Sequence, residues 1–289
     1  MKVISINGQI IDEENAKISV FDRGFLYGDS VYEVTEVRNG KIGFLDEHLE
    51  RLRNSALKMH MHLQFTAKEL EEQIMKVATK LHKEGFQRCY IRLVVTRGEG
   101  EITLDPKAAS KQNLIIIGKD LQENPKTWYQ DGVEVIVSST LRNPVKSMDP
   151  NIKSGNYLNN ILAYNEAREA GYFDAIMLNQ DGNVTECTTS NLWIVKDGVF
   201  KTPPIAAGLL KGITRENVIK ILGENNIPFE ETNITGSQLK EADECFLTSS
   251  TKYLVPIVKI DNQAIGGGRP GAKTLQVLEI FKKQQGIPL

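Results

Sequence analysis

At 289 residues the chain can bury a substantial core, in one large domain or two, without metal or disulfide staples. A formal net charge of −2 gives no basic footprint for nucleic acid, and no apolar run is long enough to cross a bilayer. Cys89, Cys187 and Cys245 are odd in number and lack CxxC spacing, which points to reduced thiols rather than a disulfide framework or zinc site. The opening MKVISINGQIID lacks a signal peptide's apolar core, so a cytoplasmic protein is expected.

Residues 1–20 alternate apolar and polar around Asn7-Gly8, a hairpin dipeptide, and predict two short strands. Residues 21–24 read as a turn, 31–38 as a strand and Asn39-Gly40 as a second hairpin turn. Asp46 is expected to cap a helix whose Leu49, Leu52 and Ala56 share a face. On that helix Arg51 has Glu47 four residues earlier as its expected surface partner. The spacing of Leu70, Ile74, Val77, Ala78 and Leu81 predicts an amphipathic helix over 67–84. His60 and His62 stand two apart and share no helical face, so no metal site is expected there. Strands follow at 89–97, CYIRLVVTR, and 113–117.

Residues 118–132 are polar and irregular and read as a connection between domains. The most informative stretch is 147–202. Lys153 stands there in a Ser/Gly/Asn segment, and Leu158, Ile161 and Leu162 recur at helical spacing up to a stop at Gly171. A strand at 175–178, a turn at Asp181-Gly182, a strand carrying Glu186 and a strand at 191–195 come next. Gly212-Ile213-Thr214 then opens a helix carrying Val218, Ile219 and Leu222, where free amides and the macrodipole attract phosphate, although Thr214 could simply cap it. A strand at 244–247 ends in the hydroxyl run 248–251, and the glycine-rich 266–274, which lacks the Gly-Lys step of a phosphate loop, precedes a terminal helix over 272–283.

Taken alone, Lys153, Glu186 and Arg51 are ordinary charged residues. Their surroundings, however, resemble the PLP-dependent transaminases of fold type IV, the class of branched-chain and D-amino-acid aminotransferases and aminodeoxychorismate lyase. The resemblance covers nearly the whole chain: EHLERL matches the family's EHxxRL segment, and GITR, the 248–251 run and the Lys153 and Glu186 segments stand in the expected order. It implies a mixed α+β fold in two domains: a small N-terminal domain over 1–118, a linker over 119–131 that overhangs the active site, and a larger PLP-binding domain over 132–289 with a β-barrel-like core.

The same resemblance assigns pyridoxal 5'-phosphate as cofactor and Lys153 as the Schiff-base lysine and proton carrier, with Glu186 facing the ring nitrogen. It places Arg51, Ile213, Thr214, Ser249 and Ser250 around the phosphate, and Tyr157 near the ring hydroxyl, four residues past Lys153 where typical branched-chain enzymes have five. Tyr32, Tyr90, Arg92, Ser250 and Thr251 are the implied substrate contacts. Tyr90-x-Arg92 is the branched-chain triplet, and 98–106 lacks the Arg-x-His pair of standard D-amino-acid enzymes. The expectation is therefore a transaminase acting on branched-chain L-amino acids with 2-oxoglutarate, as a homodimer or larger homo-oligomer. A D-amino-acid aminotransferase and aminodeoxychorismate lyase are the alternatives, and a non-enzymatic binding module in which Lys153 and Glu186 merely pair is the third.

Overall fold

The computed structural model describes residues 1–287, and the chain separates into two compact units. The first takes Met1–Glu123 together with Ile152–Asn156. It contains β1 (Lys2–Ile6), β2 (Gln9–Ile11), α1 (Arg23–Tyr27), β3 (Ser30–Arg38), β4 (Lys41–Ile42), α2 (Leu45–Lys58), α3 (Ala67–Lys83), β5 (Arg88–Thr96) and β6 (Asn113–Asp120). Its six strands form an antiparallel sheet in the order β2-β1-β6-β5-β3-β4.

Strand alternation sends Val31, Val37, Ile91, Leu93, Leu114 and Ile116 to one face, where they form a core with Leu52 and Ala56 of α2 and Val77 and Leu81 of α3. The apolar stripe predicted for α3 is the buried one, and Thr66 with Glu69 forms a capping box at its start. Asp46 does not cap α2: the helix begins at Leu45 after a left-handed Phe44, which leaves Asp46 inside the first turn. Residues 23–27 are helical rather than a turn, because the Asp22 side chain accepts the Gly24 amide and starts α1.

The Lys153 segment belongs to this first unit, although a division at 119–131 would assign it to the second. It runs along the first residues of β3, which the short β4 leaves unpaired: the Tyr32 amide donates to the Lys153 carbonyl at 3.0 Å, and the Gly155 amide donates to the Ser30 carbonyl at 2.9 Å. Open edge groups seek such partners, which is the physical reason for the return.

The second unit takes Asn124–Asn151 and Tyr157–Leu289. It comprises α4 (Thr127–Gln130), β7 (Val133–Val137), α5 (Leu158–Glu169), β8 (Asp174–Leu178), β9 (Val184–Cys187), β10 (Asn191–Lys196), β11 (Val199–Thr202), α6 (Ile213–Glu224), β12 (Phe229–Glu231), α7 (Gly236–Lys240), β13 (Glu244–Ser249), β14 (Tyr253–Ile260), β15 (Gln263–Ala264) and α8 (Ala272–Gln285). Strands β10, β13, β14, β7, β8 and β9 follow one another, and β9 pairs back to β10, so six strands close into the expected barrel. The closing pair is Glu186 opposite Asn191. Inside lie Val135, Ile176, Val184, Leu192, Leu247 and Val255.

Helix α5 turns the other way from its apolar pattern. Asn160, Ala163 and Ala167 are buried, the alanines against Ala175 and Met177, whereas Leu158, Ile161 and Leu162 are exposed. Small residues allow the helix close to β8, and the Asn160 amide donates to the Thr188 carbonyl at 2.8 Å, an anchor that an apolar count does not register. Strand β13 also runs two residues further than expected, taking Thr248 and Ser249 out of the turn.

Gly118 of β6 shows how closely α3 sits on the first sheet: a Cβ there would lie 2.4 Å from Val77 Cγ1 and 3.0 Å from Leu81 Cδ1. Gly118→Ala is expected to lower the unfolding free energy by about 1–3 kcal/mol through overpacking. Urea unfolding of the two proteins checks this, and an unchanged midpoint would refute the tight contact.

Candidate active site

The residues expected at the site fall into two groups, one on each unit. On the first, β3 carries Tyr32 and β5 carries Tyr90 and Arg92, with Tyr32 facing Val94 and Tyr90 facing Glu36 across the pairing. The Arg92 guanidinium lies 3.9 Å from the centre of the Tyr32 ring, and Lys153 Nζ lies 4.4 Å from the same centre and 3.4 Å from the Tyr32 hydroxyl. Tyr32 is buried, and its ring attracts both cations. Lys153 is half-buried, with its backbone amide donating to Ser55 Oγ of α2 at 3.1 Å. The amine is thus held by its backbone on two elements. Tyr90 is also half-buried, with Lys119 Nζ 5.2 Å from its ring centre.

Arg51 does not pair with Glu47. Its Nε and Nη2 donate, at 2.7 Å each, to the two oxygens of Glu33 on β3, and His48 Nδ1 approaches Glu33 Oε2 at 2.7 Å. The i, i+3 spacing of His48 and Arg51 brings both over one buried strand carboxylate. Burial alone would raise the Glu33 pKa, but the Arg51 charge and hydrogen bonds, joined by those of His48, hold it well below the usual carboxylate range. For His48, burial lowers the pKa against the pull of Glu33, and the nearby Arg51 and Lys153 charges lower it further. Burial thus disfavours the charged imidazole, and its buried Nε2 has no hydrogen-bond partner.

On the second unit, Glu186 is 5 % exposed and receives three donors. Arg142 Nε donates to Oε1 at 2.9 Å, while the Leu210 amide and Asn191 Nδ2 donate to Oε2 at 3.1 and 3.4 Å. Asn191 Nδ2 also donates to the Leu210 carbonyl at 2.8 Å, so one amide side chain joins the barrel closure to the turn before α6. Gly212 caps that helix, and a Cβ there would come within 1.9 Å of Asn191 Oδ1, so only glycine fits.

No side chain caps the N-terminus of α6. Thr214 is not its cap but lies in the first turn, and its buried hydroxyl has no hydrogen-bond partner. An unmet buried hydroxyl costs about 1–3 kcal/mol, so free amides and an unpaired donor at one helix start fit an anionic ligand. Ile213 is buried beside it. Ser249 ends β13, with its Oγ accepting the Lys252 amide at 3.3 Å, and Ser250 and Thr251 form the half-buried loop into β14. Lys252 Nζ donates to Thr189 Oγ1 at 3.2 Å, linking this loop to the one after Glu186. Tyr157 is half-buried at the N-cap of α5.

Sequence reading did not single out Glu33, His48, Arg142, Asn159 or Asn191. Glu33 had a signal, since it interrupts the inward-facing Val31, Val37 set. Arg142 had none, being one arginine in an irregular run, although it is buried in the fold. Cys187, next to Glu186, is no nucleophile, since burial raises its thiol pKa well above the ordinary value. No group of three or more His, Cys, Asp or Glu that could hold a metal ion occurs among the described residues.

Residues 30–260 match the family model of amino-transferase class IV. A putative branched-chain-amino-acid aminotransferase of Methanocaldococcus jannaschii is 39 % identical over 279 residues, covering 96 % of this chain and 95 % of that one. A D-alanine aminotransferase of Bacillus licheniformis is 35 % identical over 278 residues, covering 96 % and 94 %. Among solved structures, the branched-chain amino acid aminotransferase of Escherichia coli superposes with a TM-score of 0.91 at 29 % identity, covering 97 % of this chain and 93 % of that one. The T.th. branched-chain amino acid aminotransferase with pyridoxamine 5'-phosphate gives 0.91 at 31 %, covering 99 % and 95 %.

The Glu33 cluster makes stability depend on pH. His48 binds its proton less readily when folded than at its ordinary 6.5, so the unfolded chain gains protons first and stability falls as pH drops through that value. The contribution of Glu33 is complete above its ordinary 4.5 and is lost on further acidification. His48→Asn, which keeps a donor toward Glu33 but cannot titrate, is expected to flatten the loss of melting temperature between about pH 7 and 5. An identical slope in the variant would exclude His48 as its source.

Proposed function

Because the chain belongs to the class IV aminotransferases, we propose that it uses pyridoxal 5'-phosphate to move an amino group from a branched-chain L-amino acid to 2-oxoglutarate. The observation that carries the cofactor reading is the uncapped start of α6 with the unpaired Thr214 hydroxyl, which suits a phosphate. When bound, the cofactor supplies an electron sink that lets the substrate's Cα–H bond break.

Each residue then has a distinct task. Lys153 would hold the cofactor covalently through Nζ, and the same nitrogen would take the proton from substrate Cα as general base and return one as general acid. The Tyr32 hydroxyl, 3.4 Å from Nζ, orients the amine. Glu186 would be the anion toward the ring nitrogen, and Tyr157 would serve the ring hydroxyl. Arg51, the amides of Ile213 and Thr214, and the Ser249-Ser250 loop would hold the phosphate. Tyr32, Tyr90, Arg92, Ser250 and Thr251 line the substrate's place.

The branched-chain reading draws support from the Tyr90-x-Arg92 triplet, from the identity to the M. jannaschii protein and from the structural likeness to branched-chain enzymes. A D-amino-acid substrate is the second reading, favoured by the likeness to D-alanine aminotransferases and the four-residue Lys153–Tyr157 spacing. A homodimer is part of the proposal, because Leu158, Ile161 and Leu162 leave an apolar stripe on α5 that a second copy would cover. A cytoplasmic location is proposed from the three buried free thiols.

Borohydride reduction of the holoenzyme followed by peptide mapping is expected to tag Lys153 with the cofactor. Lys153→Ala should keep its melting temperature, lose the tag and show negligible turnover; substantial residual turnover would refute the assignment. With 2-oxoglutarate as acceptor, L-leucine should yield its keto acid faster than D-alanine does, and the reverse order would select the D-amino-acid reading.

A further inference from the structure

The Glu186 carboxylate is bound by more than its task as a counter-anion requires. Among its donors, the Leu210 amide and Asn191 Nδ2 are neutral and share Oε2. On Oε1 the donor is the Nε of Arg142, 8 % exposed and charged. That guanidinium is fixed at its far side, where Nη1 donates to Asn159 Oδ1 at 3.0 Å. Asn159 is itself held, accepting the Asn143 amide at 3.2 Å and donating to the Leu141 carbonyl at 2.7 Å. The Arg142 backbone amide donates to the Leu178 carbonyl at 2.8 Å, at the end of β8. The cation is therefore constrained at its backbone and at both sides of its head.

A carboxylate facing a protonated ring nitrogen has two states. The proton stays on nitrogen, giving an ion pair, or it crosses to the carboxylate, giving two neutral groups. Burial favours the neutral pair, because both charges lose hydration. Hydrogen bonds and a fixed positive charge on the carboxylate favour its ionised form. An arginine suits this use since it cannot surrender its own proton.

We propose that Arg142 is a positioning residue that lowers the proton affinity of Glu186 and so keeps the shared proton on the cofactor's ring nitrogen, with Asn159 holding the guanidinium in place. The inference rests on the pyridoxal phosphate reading above. Without the Arg142 charge the proton moves from the ring nitrogen to a Glu186 oxygen; no other group changes charge.

The test loads the enzyme with pyridoxal 5'-phosphate labelled with 15N in the ring and reads the nitrogen's chemical shift, which separates protonated from unprotonated pyridine independently of turnover. The wild type should give the protonated value. Arg142→Met should move it toward the unprotonated value, Arg142→Lys should recover part of the difference, and Asn159→Ala, which keeps the Arg142 charge but removes the group that fixes its guanidinium, should give an intermediate shift. The Met variant should also lose kcat with little change in KM. A wild-type shift in both Arg142→Met and Asn159→Ala would overturn the proposal. Should Arg142→Met fail to fold, a wild-type shift in the Lys and Ala variants together would overturn it instead. Failure of the wild type to retain labelled cofactor would sink the pyridoxal phosphate reading itself, a separate result.

Discussion

The second unit depends on a ring of strands being closed by a single residue pair, Glu186 opposite Asn191. A closed sheet has no edge to protect, but closure by so short a contact leaves polar groups that must be satisfied by side chains. Asn191 serves that need on one side, reaching the Leu210 carbonyl, and Arg142 and the Leu210 amide serve it on the other through Glu186. The groups that complete the barrel are therefore those that fix the proposed counter-anion and the turn into α6. Fold and chemistry share their hydrogen bonds here, so substitutions at these positions act on both.

The first unit meets a comparable demand differently. Strand β3 has one face in an apolar core, yet Glu33 lies on that face between Val31 and Val37. A buried carboxylate without partners is costly, and the α2 residues three apart, His48 and Arg51, supply them. The neighbouring face of the same strand presents Tyr32 to two cations, Arg92 and Lys153. Alternation along one strand thus separates a charge-compensating side from a side that orients an amine.

Much of this is legible in the sequence. The long helices and the strand pairs carried by Asn-Gly and Asp-Gly turns followed from periodicity, and α3 matched its predicted apolar positions one for one. What periodicity could not supply was direction. The apolar stripe of α5 faces outward because alanines and Asn160 make the closer contact with β8. The residue motifs indicated Lys153, Glu186 and Arg51 as chemically interesting, but their actual partners, Tyr32, Arg142 and Glu33, are 121, 44 and 18 residues away along the chain. Long-range pairings of this kind arise from topology and leave no local signature in the sequence. Thr214 illustrates the converse: a hydroxyl at a helix start reads either as a cap or as part of an anion site, and its unmet hydrogen bond favours the second.

The excursion of residues 152–156 back to β3 has a topological meaning. Because these five residues are spliced onto the rim of a sheet made otherwise from the first 123, no single scission can yield two self-sufficient halves. A fragment ending at Glu123 would keep the tyrosine of β3 but forfeit the lysine beside it, together with the backbone ladder that seals the strand. The Lys153 amine thus lies between two stretches of second-unit sequence yet is seated on the first unit's sheet, so its placement depends on both segments of that unit being present in one chain.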